Sequence, residues 1–405
     1  MAVEDRRAAS ATPPIGRVSP RLTHNGHGPS GNRGRSSLLL TLLFVATIAL
    51  PLAANLAGAD GADPAAENRE LAPFPRTDGS PASLAALPAA FAAWFDDHFG
   101  FRSLLVRWYG ESRLFMLGVS PSAAVIKGER GWFFYGDDKS VEDYANVEPM
   151  TDEALANWRA AILRARDWLR ARDIAYVFVI APDKHVIYGD EMPPTLTRVG
   201  ALSRMDQLLT GLQDTGLAVD LRPAEFDAKA RERVYQHTDT HWNDRGALVA
   251  YQEIIRAVRA RVPRTPAPWT REDFTASDRT VEGLDLAGMM GLTRVLREVD
   301  MTLVPKRPRR ARVLEPAGAE PTAEEGRLVT TIDDPSLPRA VIFRDSFTSR
   351  LVPFLSEHFS RAVYLWQNDF DAAVVTQEHP DVVIQEIVSR HLYNFIPSPE
   401  LVPKP

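Results

Sequence analysis

Ile174–Ala181 carries no charged residue and is apolar throughout, the pattern of a strand buried on both faces rather than one. Shorter runs at Leu217–Leu221, Ala340–Phe343, Ala362–Trp366 and Val382–Ile387 repeat the theme. Between them the period lengthens. In Asp152–Arg172, Leu155, Trp158, Ile162, Ala165 and Leu169 share one helical face, and Leu202–Gln213, Gly246–Arg261 and Thr348–Phe359 also read as helices. This alternation predicts an α/β domain, a parallel sheet flanked by helices.

Two segments break the rhythm. Val125–Tyr135 predicts a hairpin, with Gly128 to Gly131 as its turn and aromatics on the return strand. Residues 265–338 are charged and proline-rich, and read as an insertion of irregular structure. Upstream, Leu84–Leu117 has Phe91, Trp94, Phe95, Phe99, Leu104, Leu105, Trp108 and Tyr109 at helical spacings, which predicts an amphipathic segment packed on the main domain.

Residues 36–59 are uncharged, a stretch longer than the ~20 residues a bilayer crossing takes. Arg6, Arg7, Arg17, Arg21, Arg33 and Arg35 precede it, whereas Asp60, Asp63 and Glu67 follow. The positive-inside rule then predicts a single N-terminal transmembrane anchor with the bulk of the chain outside the cytoplasm. A cleaved signal is one alternative, since Ala53–Ala59 is rich in small residues, and a buried helix is the other. The expected organisation is a disordered tail (1–35), the anchor (36–59), a linker (60–83), the α/β domain (84–395) and a short tail (396–405).

Bulk composition trims the field. A net charge of −6 gives no basic footprint for nucleic acid, and no nucleic-acid partner is expected. The absence of cysteine excludes disulfides, thiolate nucleophiles and thiolate-bound metals.

The chemistry gathers in two motifs. Thr238-Asp239-Thr240-His241-Trp242-Asn243 sets a carboxylate and an imidazole two apart, and residues two apart share a side in an extended chain. Arg344-Asp345-Ser346-Phe347 puts a serine where a strand runs into a helix, near free amides that can hold an oxyanion. A serine, its base and an orienting acid are what acyl transfer needs. The plain alternatives are a helix cap at Asp345 or Ser346 and a structural histidine. A metal would need further ligands, with His237, His185 and Asp183 conceivable, and no metal or cofactor is expected. Lys184, His185 and Tyr188 follow the buried strand and are candidate substrate contacts, equally readable as loop packing. Trp242, Trp366 and Tyr393 could stack on sugar rings or fill the core.

The chain resembles the alginate O-acetyltransferase proteins of the AlgJ/AlgX type, whose catalytic domain is SGNH hydrolase-like (flavodoxin-like). The resemblance runs from about Glu67 to Phe395. It rests on Glu67-Asn68-Arg69, the run from Trp94 to Arg102, Gly131–Tyr135, Ala181–His185, Thr238–Asn243 and Arg344–Phe347. It implies Ser346 as nucleophile, His241 as general base and Asp239 as orienting acid. It implies too a periplasmic domain tethered to the inner membrane, an exported polysaccharide as acceptor, and a multi-pass membrane acyltransferase as acetyl-donor partner. Arg344 stands where many such enzymes have glycine, and Asn243 is the candidate for their oxyanion-hole asparagine. Because the chain ends soon after Phe395, no appended carbohydrate-binding module is expected. The same triad would serve a polysaccharide acetyl esterase, and a non-catalytic assembly role in an export complex is a third reading.

Overall fold

A computed structural model describes residues 33–57, 71–315 and 326–402. The predicted tail before Arg33, residues 58–70 (the end of the predicted anchor and the first part of the linker) and the last three residues lie outside them, as do residues 316–325 of the predicted insertion. Three helices lead in: α1 (Arg33–Leu56), α2 (Pro81–Asp97) and α3 (Arg102–Glu111). The window Ser36–Asn55 of α1 is long and apolar enough to cross a membrane. A short antiparallel hairpin follows, β1 (Val125–Lys127) with β2 (Phe133–Tyr135), as the glycine-bounded turn predicts.

The body is a seven-stranded sheet. In chain order its strands are β3 (Ala175–Ala181), β4 (Ala218–Asp220), β7 (Arg312–Glu315), β8 (Arg327–Thr331), β9 (Arg339–Arg344), β10 (Arg361–Trp366) and β11 (Val382–Val388). Their spatial order is β4-β3-β11-β9-β10-β8-β7. The first five run parallel, but β8 and β7 are antiparallel additions, so the sheet is mixed rather than parallel. The region expected to be an insertion therefore supplies two strands of the core sheet. It also forms a separate ribbon, β5 (Phe274–Glu282) paired with β6 (Arg297–Pro305).

Each face of the sheet has its own core. Helix Asp244–Arg261 covers one face with Tyr251, Ile254 and Ile255, against Val177, Val179 and Ile342. Helix Asp152–Arg170 covers the other with Trp158, Ile162 and Leu169, against Phe178, Val341 and Val383. Two-sided burial is why the central strands read as unbroken apolar runs.

The segment after β9 departs from expectation. In place of one helix over 348–359 there is a 3₁₀ turn (Ser346–Arg350), one α-turn (Val352–Leu355) and a second 3₁₀ turn (Ser356–His358). Pro353 lacks the amide a continuous helix would need there. The N-terminal helices depart too. α2 and α3 do not bury their aromatic faces on the domain: Phe91, Phe95 and Trp108 are each more than two-fifths exposed.

Candidate active site

The loop from Tyr235 to Trp242 is pinched shut by a bridge between those two residues, and Asn243 N donates to Val234 O at 2.9 Å. Within it Asp239 Oδ1 receives both His241 N (2.9 Å) and His241 Nδ1 (2.8 Å). The carboxylate thus fixes the backbone and the imidazole of His241 together. With Nδ1 engaged by Asp239, the other ring nitrogen is the one available to a reacting group. His241 Nε2 is buried and has no hydrogen-bond partner among the described residues.

The loop is held from several sides. Lys184, buried at the end of β3, donates from Nζ to the carbonyls of Gln236 (2.9 Å), His237 (3.1 Å) and Asp239 (2.6 Å). Glu298 on β6 accepts from Thr238 N (2.8 Å) and Thr238 Oγ1 (2.9 Å). Asp285 opens a short helix (Asp285–Met289) and accepts from Thr240 N (2.9 Å) and Thr240 Oγ1 (2.6 Å). Its Oδ2 lies 3.9 Å from His241 Nδ1. A second carboxylate therefore flanks the imidazole.

Ser346 sits two residues beyond the carboxyl end of β9, the fourth of seven strands. Asp345 shapes the turn: its Oδ1 caps Phe347 N at 2.9 Å, and its Oδ2 accepts Val388 N from β11 at 2.7 Å. Glu386 Oε2 accepts from Asp345 N (3.2 Å) and Thr348 Oγ1 (2.9 Å). The two motifs meet through Phe347, whose ring lies 5.0 Å from that of His241 and whose carbonyl accepts Trp242 Nε1 at 3.1 Å. Ser346 is partly buried beside this contact. No hydrogen bond joins Ser346 Oγ to His241 Nε2, a contact that in unliganded enzymes commonly tightens only with substrate.

The charges follow from this packing. Burial works to raise the Asp239 carboxyl, but the hydrogen bonds and charge of His241, with Arg350 behind, hold it down at about 2. Burial works to lower His241, and the Asp239 hydrogen bond, followed by the Asp239 and Asp285 charges, carries it above its ordinary value. Asp285 is pushed up to about 6 by burial and then by the charge of Asp239. Burial, then the neighbouring Asp345 charge, puts Glu386 well above the usual carboxylate range. Lys184 is lowered to about 8 by burial.

Most residues expected to touch substrate are engaged within the protein. Lys184 is the carbonyl clamp just described. Buried His185 pairs with Asp143 at 2.9 Å, and the Tyr188 hydroxyl receives Val234 N at 3.0 Å. Trp242 has no exposed surface. Asn243 caps helix Asp244–Arg261 by accepting from Arg245 N and Gly246 N, so its amide is committed to the fold. Arg344 is fully buried, with Nη1 donating to Ser349 Oγ (3.0 Å) and Asp345 O (3.3 Å). As the last extended residue of β9 it leaves the turn to Asp345, which is why no glycine is needed there. Trp366 differs: it is 37% exposed, and its ring lies over the Arg344 guanidinium at 4.5 Å. Tyr393 donates to Glu142 O at 3.1 Å and stacks with Arg204.

Asp239, His241 and Asp285 present ligand atoms within 4.8 Å of one another, the spacing of a small metal site. The two carboxylates already receive donors: Asp239 from His241, and both oxygens of Asp285 from Thr240. That arrangement orients an imidazole.

Residues 125–373, more than half of the chain, match the family described as the SGNH hydrolase-like domain of acetyltransferase AlgX. The chain belongs to this family. Its fold is accordingly SGNH hydrolase-like. Over 143 residues it is 32% identical to a Pseudomonas putida protein named "Probable alginate O-acetylase AlgJ", covering 33% of this chain and 34% of the relative. An Azotobacter vinelandii protein of the same name is 26% identical over 195 residues, 46% of each chain. The chain thus spans between a third and a half of the length of these curated relatives. Among solved structures it is similar to the O-acetyltransferase domain of Pseudomonas putida AlgJ, at 21% identity and a TM-score of 0.43, covering 66% of this chain and 92% of that one. Bacillus cereus PatB1 is similar at 15% identity and a TM-score of 0.49, covering 66% and 97%.

Proposed function

We propose that this protein is a membrane-anchored O-acetyltransferase that acetylates an exported polysaccharide through an acetyl-serine. The observation that carries the reading is the Asp239–His241 pair, set with Nε2 unpartnered next to the turn that holds Ser346. Family membership and the names of the relatives supply the reaction class.

In the proposed first step His241 Nε2 takes the Ser346 proton as Oγ attacks the carbonyl carbon of an acetyl donor. Collapse of the tetrahedral intermediate expels the donor's leaving group, which takes the proton from His241, and leaves acetyl-Ser346. A sugar hydroxyl then attacks, His241 removes its proton, and that proton returns to Ser346 as the acetyl ester departs. Asp239, ionised throughout at a value near 2, holds the tautomer and stabilises the transient imidazolium. Trp366 is the residue placed to present an aromatic face to a sugar ring, because its exposed ring is braced from below by Arg344. The location proposed with this activity is the periplasmic side of the inner membrane, with α1 as anchor and a multi-pass acyltransferase delivering the acetyl group.

The test uses the full chain with a small activated acetyl ester as donor and oligosaccharides as acceptors, followed by mass spectrometry. Wild type should give acetyl-enzyme and acetylated sugar, and Ser346→Ala should lose turnover by about 10⁶-fold. Acetate release without acetylated sugar would reassign the protein as an esterase. Turnover that survives Ser346→Ala would refute the nucleophile.

A further inference from the structure

α2 is an anomaly among the described helices. It is apolar on nearly every side, with no charged residue from Pro81 to Phe95, yet the only buried residue on it is Asp97. A helix that is hydrophobic all round is normally covered. Leu84, Phe91 and Phe95 are 51%, 47% and 41% exposed at spacings that line one face.

α3 and the π-turn after it (Ser112–Met116) repeat the feature with a clear division of sides. Gly110 and Leu114 turn inward. Leu114 packs with Leu286, Met290 and Leu292, and a side chain at Gly110 would meet Leu292 at 3.0 Å. The opposite side presents Leu105 (47% exposed), Trp108 (59%), Phe115 (61%) and Met116 (81%). Contiguous apolar surface of this extent on a water-soluble face is a binding surface.

Its position says what covers it. The carboxyl end of α1 packs against the junction of α2 and α3: Asn55 Nδ2 donates to His98 O, and the Pro51 carbonyl lies so close to Gly100 that any Cβ there would overlap it. The exposed patch is therefore continuous with the end of the apolar span. α2 itself, 17 residues long, is too short to cross, since spanning takes ~20. Aromatics and leucines along a short helix at the end of a span are what the lipid–water boundary accepts.

We propose that α2, α3 and the following turn lie in the lipid–water interface beside the anchor and hold the domain against the membrane surface. This rests on the reading of α1 as a membrane span. The inward side of α3 touches the segment Leu286–Leu292, which begins next to Asp285. The interfacial helices thereby brace the element that holds Thr240 beside His241.

The natural absence of cysteine makes the test direct. Single cysteines replace Phe95, Trp108 and Met116 on the patch, Leu42 in α1, and Arg170, whose side chain is 77% exposed, at the end of helix Asp152–Arg170 on the α/β domain. The full chain is spin-labelled and reconstituted into vesicles of phosphatidylethanolamine with a minority of phosphatidylglycerol. Accessibility to oxygen and to a water-soluble nickel chelate is then compared. The patch labels should be open to oxygen and lose most of their nickel accessibility, while position 170 stays open to nickel. Patch labels open to nickel with position 42 in lipid would overturn the interfacial placement and leave the anchor standing. Position 42 open to nickel would remove the anchor itself. Patch labels shielded from both reagents would mean that a second copy of the protein covers the face, against the proposal. Quenching of native tryptophan fluorescence by brominated lipid in the unsubstituted chain provides a check free of substitution.

Discussion

The loop 235–243 and the N-terminal helices are both places where side chains break the rule their surroundings obey, in opposite directions. Around the loop, ionisable groups are buried: Lys184, Glu298, Asp345 and Glu386 are each at most 3% exposed. Their cost is offset because each meets donors or acceptors supplied by backbone and neighbours. On α2 and α3, apolar groups are exposed with nothing among the described residues to cover them. A buried polar network makes a loop rigid, since displacing any member leaves the rest unpaired. An exposed apolar face does little for the fold and awaits a partner. One region is finished by the chain itself, the other by its surroundings.

If that contrast holds, substitutions should behave differently on the two sides. Asp239→Asn keeps the shape but weakens the hold on tautomer and imidazolium, and should lower acetyl transfer by about 10⁴-fold with little change in melting temperature. Lys184→Met removes the donor to three carbonyls and should destabilise the fold by about 3 kcal/mol, read as the urea midpoint at constant m-value. A stability change near zero would break the claim that the clamp matters.

Asp285→Asn probes the second carboxylate by pH. Transfer needs neutral His241, so activity should rise with pH through the imidazole pKa, which the Asp239 hydrogen bond and charge, with Asp285, hold above its ordinary value. Removing the Asp285 charge lowers that pKa and should move the acidic limb of the rate profile to lower pH. An unmoved limb would show that Asp285 only positions Thr240. On the other side of the contrast, Phe91→Ala and Met116→Ala should each change stability in detergent-free buffer by less than about 0.5 kcal/mol, since little is buried there. A larger loss by chemical denaturation would mean that the face is already covered.

The central sheet was legible because β3, β9, β10 and β11 are covered on both faces and carry the composition that such burial demands. β7 and β8 were not, because Arg312–Glu315 and Arg327–Thr331 lie in a charged, proline-rich stretch whose polar residues mask short strands at the sheet edge. The Asp239–His241 pair was legible because both residues lie in one short motif. Asp285 was not: it reaches His241 from a segment expected to be irregular, and a Leu-Asp-Leu start to a short helix is a weak local signal. Lys184, His185 and Tyr188 follow the carboxyl end of β3, but sequence position does not say whether a polar side chain points outward or into the packing. Their burial makes them scaffold.

The turn that holds Ser346 has a temporal side. Asp345 accepts the amide of Val388, and Asp345 N and Thr348 Oγ1 both donate to Glu386, so the geometry around the serine is fastened by β11, near the end of the described chain. β11 enters between β3 and β9, strands that the chain lays down well before it. A polypeptide still being synthesised, with Val382–Val388 undelivered, has its histidine loop but lacks the β11 contacts that fasten the serine turn. The last of these strands to arrive is the one that sets the Ser346 turn in place.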